Sequence, residues 1–213
     1  MARPDEWINE LPALVRAAAQ GNISETTDLL RTGSDPDEAD EDGWTALHAA
    51  AVFNHLQIVK LLLQDGAAVD TRSHRGFTPL LNAARADAPV VTALLNAGAD
   101  PAAQEARMGW RPLDRFAEHA NAPAVQLLLD AGAEVDARDL SGQTALMDAA
   151  EAGSAECVEL LLRAGANPAV TREGHTASSL AAKHGHHALA AYLASRTPAA
   201  PAPPDGPDRP DSA

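Results

Sequence analysis

Few residues of this chain could do chemistry, and their neighbours argue against most of it. Cys157 is the single cysteine and could act as a nucleophile. It stands in Glu-Cys-Val-Glu-Leu-Leu-Leu, where it reads as a small buried hydrophobe. Glu156 and Glu159 beside it would raise the thiol pKa and keep it unreactive. His184, His186 and His187 form a cluster that could take a metal, but no carboxylate adjoins it, so local hydrogen bonding is the expected use. Arg107, Arg111 and Arg115 recur every four residues, as an anion site might require. Gly109 and Pro112 interrupt any helix between them, and pairing with Glu105, Asp114 and Glu118 is expected instead. Asp35 to Asp42 holds six carboxylates in eight residues. Its spacing is not that of a calcium loop, which needs Asp-x-Asp-x-Asp-Gly and a distal Glu. No Gly-x-x-x-x-Gly-Lys, Gly-x-Gly-x-x-Gly, Gly-x-Ser-x-Gly or His-Glu-x-x-His pattern occurs. The expectation is a protein without catalytic residues, cofactor or metal.

Charge and composition narrow the partners. Lys and Arg number 16 against 30 Asp and Glu, a formal charge of −14. Such a chain repels phosphate backbones and anionic lipid, so neither nucleic acid nor a membrane surface is expected. A protein partner, and a basic one for preference, fits better. Residues 1–42 carry 11 acids and 3 bases, so most of the field sits at that end. No run approaches the ~18 apolar residues of a membrane span. The first 20 residues lack a continuous apolar stretch, so no secretory signal is expected. A lone cysteine excludes an internal disulfide and suits a reducing compartment. These readings together point to a soluble cytoplasmic protein. Apolar residues make up 46% of the chain but aromatics only 3%, so the core must be built from alanine and leucine.

The elements that would position any site follow from self-similarity. Gly43, Gly76, Gly109, Gly142 and Gly174 recur at steps of 33, 33, 33 and 32, and Gly33, Gly66, Gly98, Gly132 and Gly165 at 33, 32, 34 and 33. Leucine runs such as Leu61-Leu62-Leu63 and Leu127-Leu128-Leu129 fall between the two series. A fixed period of this size means stacked supersecondary units. Within one unit, Thr45 to Val52 is alanine-rich with high helix propensity, and Asn54-His55 breaks it. Ile58, Val59, Leu62 and Leu63 then form one apolar stripe at helical spacing, and Gly66 stops this second helix. Pro89 and Pro123 suit the first turn of equivalent second helices. Each stop leads into a polar segment such as 132–142, with Val135 pointing inward, which reads as an extended loop or hairpin.

These residues resemble the ankyrin repeat. Its pattern is Gly-x-Thr-Pro-Leu-His-x-Ala-Ala followed by Val-x-x-Leu-Leu-x-x-Gly-Ala; Gly76-Phe-Thr-Pro-Leu80 keeps the Thr-Pro-Leu, Gly43-Trp-Thr-Ala-Leu-His48 keeps Thr, Leu and His, and Gly142-Gln-Thr-Ala-Leu146 keeps Thr and Leu. Gly-Ala follows the second helix at 66–67, 98–99, 132–133 and 165–166. The resemblance covers about six repeats over residues 10–195 and implies an all-α solenoid of helix–turn–helix units joined by hairpins or loops. It places an N-terminal cap at 11–33, repeats at 40–72, 73–105, 106–138 and 139–170, and a C-terminal cap at 171–195. His48 falls on the family's histidine, and His55 and His186 near its turn between helices. The fourth unit departs from the pattern: Gly109-Trp-Arg-Pro-Leu-Asp114 loses the threonine and histidine, and Phe116 replaces a small residue. In the last unit Ser178 replaces a core leucine, as suits a cap with a polar outer face. Residues 196–213 are rich in proline and alanine and are expected to be disordered.

A row of side chains offers the best candidate site. The residue after each hairpin glycine is Trp44, Phe77, Trp110, Gln143 and then His175, spaced by about one helix-packing distance of ~10 Å. Three of the six Trp and Phe residues lie in it. The resemblance implies that this position and the hairpin tips face a concave side where partners bind. The matching tips are Glu41, Asp42, His74, Arg75, Arg107, Met108 and Leu140. Matching ends of first helices are Val52, Phe53, Arg85, Glu118, His119, Glu151 and Lys183. Exposed aromatics beside arginine are hot-spot chemistry. The expected function is a monomeric protein-binding scaffold. An acidic inhibitor that masks a basic toxin or enzyme is the alternative, and a metal-binding or enzymatic protein the less favoured one.

Overall fold

The computed structural model describes residues 11–197. Among them twelve α-helices form six helix–turn–helix pairs: α1 (Ala13–Ala19) with α2 (Ile23–Arg31), α3 (Ala46–Val52) with α4 (Leu56–Gln64), α5 (Pro79–Asn82) with α6 (Ala88–Asn96), α7 (Pro112–Glu118) with α8 (Ala122–Asp130), α9 (Ala145–Glu151) with α10 (Ala155–Arg163), and α11 (Ala177–Lys183) with α12 (His187–Arg196). The first helices pack against one another in chain order, and the second helices form a parallel row behind them. The result is the all-α ankyrin-type solenoid that the period implies. The tail expected to be disordered lies outside the described residues from 198 onward.

The alanines decide how closely the layers approach. On α3, Ala46, Leu47, Ala49, Ala50 and Ala51 are all buried, with Ile58, Val59 and Leu62 of α4 packed behind them. Small side chains on the first helices let their backbones approach, and the second helices supply the branched volume that fills the space between them. One apolar core runs unbroken from Leu14 to Leu193. Cys157 is part of it and fully buried.

The connecting segments are chains of turns rather than hairpin ladders. Among the described residues the bridges are single pairs, Ala39 with Thr45 and Arg172 with His175, both antiparallel.

The third unit breaks the rhythm for a reason visible in the glycine spacings. The 32-residue step from Gly66 to Gly98 removes one residue from this helix pair. The 34-residue step that follows returns it in the segment before Gly109. In the other units the turn between helices uses a left-handed residue, such as Asn54 (φ +60) or Ala120 (φ +55). Ala86 stands at that place in the third unit but is extended (φ −73, ψ 156), so α5 stops after one turn and runs on as a 3-10 turn, Ala83–Arg85. α7 packs against that 3-10 turn, and its Phe116 is fully buried. The largest buried ring thus stands beside the shortest helix.

Candidate partner-binding groove

Each of the first four residues of the row is held by one anchor in its own connecting segment. Asp40, Ser73, Glu105 and Asp139 each donate a backbone N–H to the carbonyl of Trp44, Phe77, Trp110 and Gln143, at 2.9–3.0 Å. Their side chains accept the return bond: Trp44 N to Asp40 Oδ1 at 2.8 Å, Phe77 N to Ser73 Oγ at 3.1 Å, Trp110 N to Glu105 Oε1 at 3.4 Å, and Gln143 N to Asp139 Oδ1 at 2.8 Å. The third segment carries the extra residue, and there the anchor is a glutamate, one methylene longer, which spans five positions instead of four. Adjacent tips are tied by single backbone bonds from His74 to Asp42, from Ala106 to Arg75 and from Leu140 to Met108. The row is therefore fixed both within and between units.

The acidic run at 35–42 is largely spent on this scaffolding. Asp35 Oδ1 accepts from Asp37 N at 2.9 Å, Asp37 Oδ1 from Ala68 N at 2.9 Å, and Asp40 from Asp42 N and Trp44 N. Glu41 and Asp42 stay exposed at the tip.

The structure groups the expected binding residues unevenly. Phe77, Met108 and Trp110 wall one groove whose lips are His74, Arg75 and Arg107. Met108, Trp110 and Gln143 continue into a second depression beside it. Trp44 lines a separate hollow with Glu41 and Asp42 near the N-terminal unit, and its indole stacks on His48 at 6.0 Å. Arg85 and His119 line another hollow at the turns between helices. Phe53 is 44% exposed and stacks on His55 at 6.3 Å, outside these grooves. Gln143 departs from the expectation of an exposed row member: it is only 9% exposed. Its amide nitrogen donates to Asp148, and its oxygen accepts from Arg172. It serves as a bridge rather than a free contact.

Sequence reasoning missed Asp148, Arg172 and Asp139, which line the depression with Glu118 and Glu151. Periodicity marks which face these residues occupy, but not that Asp148 in α9 and Arg172 in the segment after α10 meet opposite ends of one glutamine amide. Of the three arginines expected to pair locally, only Arg115 does so by its side chain, with Glu118. Its guanidinium also lies 4.9 Å from the centre of the Trp110 ring, within cation–π range. Arg107 and Arg111 use backbone N–H groups toward Glu105 and Asp114 instead, and Arg111 Nη1 donates to the Arg138 carbonyl at 2.9 Å.

Burial sets the electrostatics of the floor. Asp114, in the place of the family's histidine, is 4% exposed. Burial pushes its pKa up to about 7, against the opposing pull of the Arg111 N–H and guanidinium. Asp148 is held well above the usual carboxylate range, first by burial and then by the facing charge of Asp114. Glu118 and Glu151 add to this, and the Gln143 bond opposes it. His48 is buried too, and that lowers its pKa. Its Nδ1 accepts from Thr45 N at 3.2 Å, which leaves Nε2 to donate to Phe77 O at 3.0 Å. The one true family histidine thus holds Phe77 in the row.

The other reactive candidates have local partners. Burial raises the Cys157 thiol pKa, and its N–H bonds Ser154 Oγ at 3.3 Å. His184 Nδ1 and His186 Nε2 lie 3.2 and 3.1 Å from the Glu151 carbonyl. Among the described residues no three His, Cys, Asp or Glu side chains converge on a metal-sized point, and no helix is long and apolar enough to cross a membrane.

Known proteins resemble this chain in sequence. The family model described as "Ankyrin repeats (3 copies)" matches residues 14–105 and again 107–201. Ankyrin repeat and SOCS box protein 3 of Bos taurus is 38% identical over 156 residues, 71% of this chain and 30% of that protein. Palmitoyltransferase Hip14 of Drosophila melanogaster is 38% identical over 170 residues, 78% of this chain and 26% of that protein. RelA-associated inhibitor of Mus musculus is 36% identical over 93 residues, 43% of this chain and 11% of that protein. The chain thus spans a third or less of these relatives, and the shared part is the repeat array. With two family matches spanning nearly all the described residues, the chain belongs to the ankyrin repeat family.

Proposed function

We propose that this chain is a binding scaffold that grips a protein partner on the face carrying Trp44, Phe77 and Trp110, and does no chemistry of its own. Ankyrin repeats are in general protein-interaction modules. The observation that carries the reading is the groove in which Phe77, Met108 and Trp110 meet the charged lips Arg75 and Arg107. A rigid array loses little ordering entropy on binding, so half-buried rings can contribute most of their contact area to affinity. A monomer in the reducing cytoplasm suits a chain with one buried cysteine.

The test pairs capture from the native source with two substitutions. Trp44→Ala with Trp110→Ala should leave helix content and melting largely intact, while the captured partner loses about 2 kcal/mol or more of affinity. A double variant that unfolds, with affinity per folded molecule unchanged, makes the rings structural and overturns the reading.

A second reading is an acidic inhibitor that masks a basic protein. The exposed Glu41 and Asp42 beside Trp44 and the net charge of −14 favour it. Association would then slow steeply with added salt; an indifferent rate removes it.

A further inference from the structure

The net charge of −14 hides a reversal of sign along the tips. The first connecting segment carries six carboxylates between Asp35 and Asp42 and no Lys or Arg. The next two tips carry Arg75 and Arg107, both exposed. Arg107 bonds through its backbone N–H, and neither guanidinium makes a salt bridge or side-chain hydrogen bond among the described residues. Arg72, Arg111, Arg115 and Arg172, by contrast, are all partnered. The acid that lines the groove with them, Glu105, is 3% exposed. Its carboxylate is spent on the backbone N–H groups of Arg107, Met108 and Trp110. The rest of the hollow, about 610 Å³, is walled by Phe77, Met108 and Trp110. Both rings are fixed in advance: His48 bonds the Phe77 carbonyl, and the Arg115 guanidinium covers the Trp110 ring. Leu140 extends the apolar track on the next tip. It is the most exposed large hydrophobic residue among those described, at 75%, and its N–H bonds the Met108 carbonyl.

We propose that this groove takes an extended acidic segment of a partner protein, with one large apolar side chain seated among Phe77, Met108 and Trp110 and flanking carboxylates on Arg75 and Arg107. The inference deepens the scaffold reading and rests on it, since it assigns the chemistry of the segment gripped at one place on the face. The argument is charge complementarity, and distance decides which charges count. At physiological ionic strength, fields between exposed charges fade over about 8 Å, while successive units stand about 10 Å apart. The carboxylates of the first tip are thus largely screened from a segment in the groove, and the two arginines set its local field. Guanidinium groups match carboxylates in a paired, planar geometry, and here no internal bond has to break first. A basic segment would meet Arg75 and Arg107 as like charges. The total charge therefore misleads about this stretch of the face. A partner would set basic residues against Glu41 and Asp42 and acidic ones a tip or two further on, which fixes the direction in which it lies.

The probes are acetyl-Asp-Glu-Phe-Glu-Asp-amide, its neutral counterpart acetyl-Asn-Gln-Phe-Gln-Asn-amide, its basic counterpart acetyl-Lys-Lys-Phe-Lys-Lys-amide, and the acidic peptide with alanine for phenylalanine. Each is titrated into the full chain and followed by NMR at the Met108 methyl and the Trp110 indole N–H. The acidic phenylalanine peptide should shift both resonances saturably and bind about fivefold tighter than each of the others. Arg75→Gln with Arg107→Gln should weaken it about fivefold and erase its advantage over the neutral peptide. Melting should stay unchanged, since neither side chain has an internal bond to lose. No saturable shift, equal or tighter binding of any other peptide, or an unaffected double variant would each overturn the proposal. Once a partner is in hand the two levels separate, because Trp44 lies in a different hollow. Binding that falls with Trp44→Ala but survives the arginine substitutions refutes the acidic segment and keeps the scaffold. Binding that survives both refutes both.

Discussion

The imidazole of His186 lies against Gly153, where a Cβ atom would collide with the ring. Gly153 forms the turn between α9 and α10 at φ +72, and His186 precedes α12 in the next unit, with Nε2 3.1 Å from the Glu151 carbonyl. The same pair recurs at the other end. Gly21 (φ +72) faces His55, where a Cβ would come within 2.7 Å of Cε1, and His55 Nε2 lies 3.2 Å from Ala19 O. At the equivalent turns Asn54 and Ala120 keep side chains despite positive φ. There the next unit begins its second helix with the smaller Asp87 or Ser154. Glycine at these turns therefore accompanies histidine one unit later.

That pairing predicts a difference between two glycines. Gly165 has φ +95 and nothing within 4 Å of a built Cβ. Gly165→Ala should cost only the left-handed strain of about 1–2 kcal/mol. Gly153→Ala should cost about 1–2 kcal/mol more, since the ring must also move, and His186→Ala in that background should recover part of the excess. Urea unfolding of the four proteins checks it. Equal costs at Gly153 and Gly165 would mean that the ring swings away freely.

Much of this fold can be read from sequence because each unit reuses the same few anchors. The threonine starting a first helix, the leucines behind it and the glycine that stops the second helix all recur at one period. What escaped was whatever did not recur. The short α5 is signalled only by the pair of steps 32 and 34 around Gly98, and Glu105 only by its extra methylene. Asp148 stands where the neighbouring units have Asn82 and Arg115, so no periodic rule names it. A binding face on a repeat protein is specific because its residues differ between units, and that hides them from a search for likeness. The burial of Gln143 was hidden for the same reason: it goes with Asp148 and Arg172, which its position in the row does not announce.

Asp114 gives stability a pH dependence of definite sign. Its carboxyl titrates near pH 7 when folded, against an ordinary value of 3.8, so the folded state binds this proton more tightly than the unfolded chain. The penalty for ionising it is absent in acid, grows as pH rises between those two values, and is full above them. Asp114→Asn should therefore raise the melting temperature above neutral pH, by an amount corresponding to about 1–3 kcal/mol. The two proteins should converge toward pH 4. His48 works the other way. Its lowered pKa means that acid below the ordinary 6.5 favours unfolding, so both proteins should lose stability there alike. Melting curves across this range decide it; a gain from Asp114→Asn that is the same at every pH would show that its charge is not the cause.

Asn121 serves two units at once. Its Oδ1 accepts from Ala124 N at 3.3 Å and caps α8, while its Nδ2 donates to the carbonyls of Ala86 at 2.9 Å and Ala84 at 3.3 Å in the preceding unit. Those carbonyls belong to the irregular end of the shortened helix, where a left-handed turn is missing. Ser154 holds the equivalent place one unit on and only caps α10, through Cys157 N at 3.3 Å. Ser154→Ala should cost about 1 kcal/mol, the usual worth of a cap. Asn121→Ala should cost about 2–3 kcal/mol, because two carbonyls lose their donor as well. Asn121→Asp keeps the cap, loses the donor and should fall between them. Hydrogen exchange gives a second readout: amides of the 3-10 turn at 83–86 should exchange faster in both Asn121 variants and stay unchanged in Ser154→Ala. If Asn121→Ala costs no more than Ser154→Ala, the two bonds from Asn121 to the preceding unit contribute nothing, and the third and fourth units are held together by the packed helices and the Ala106–Arg75 tip bond.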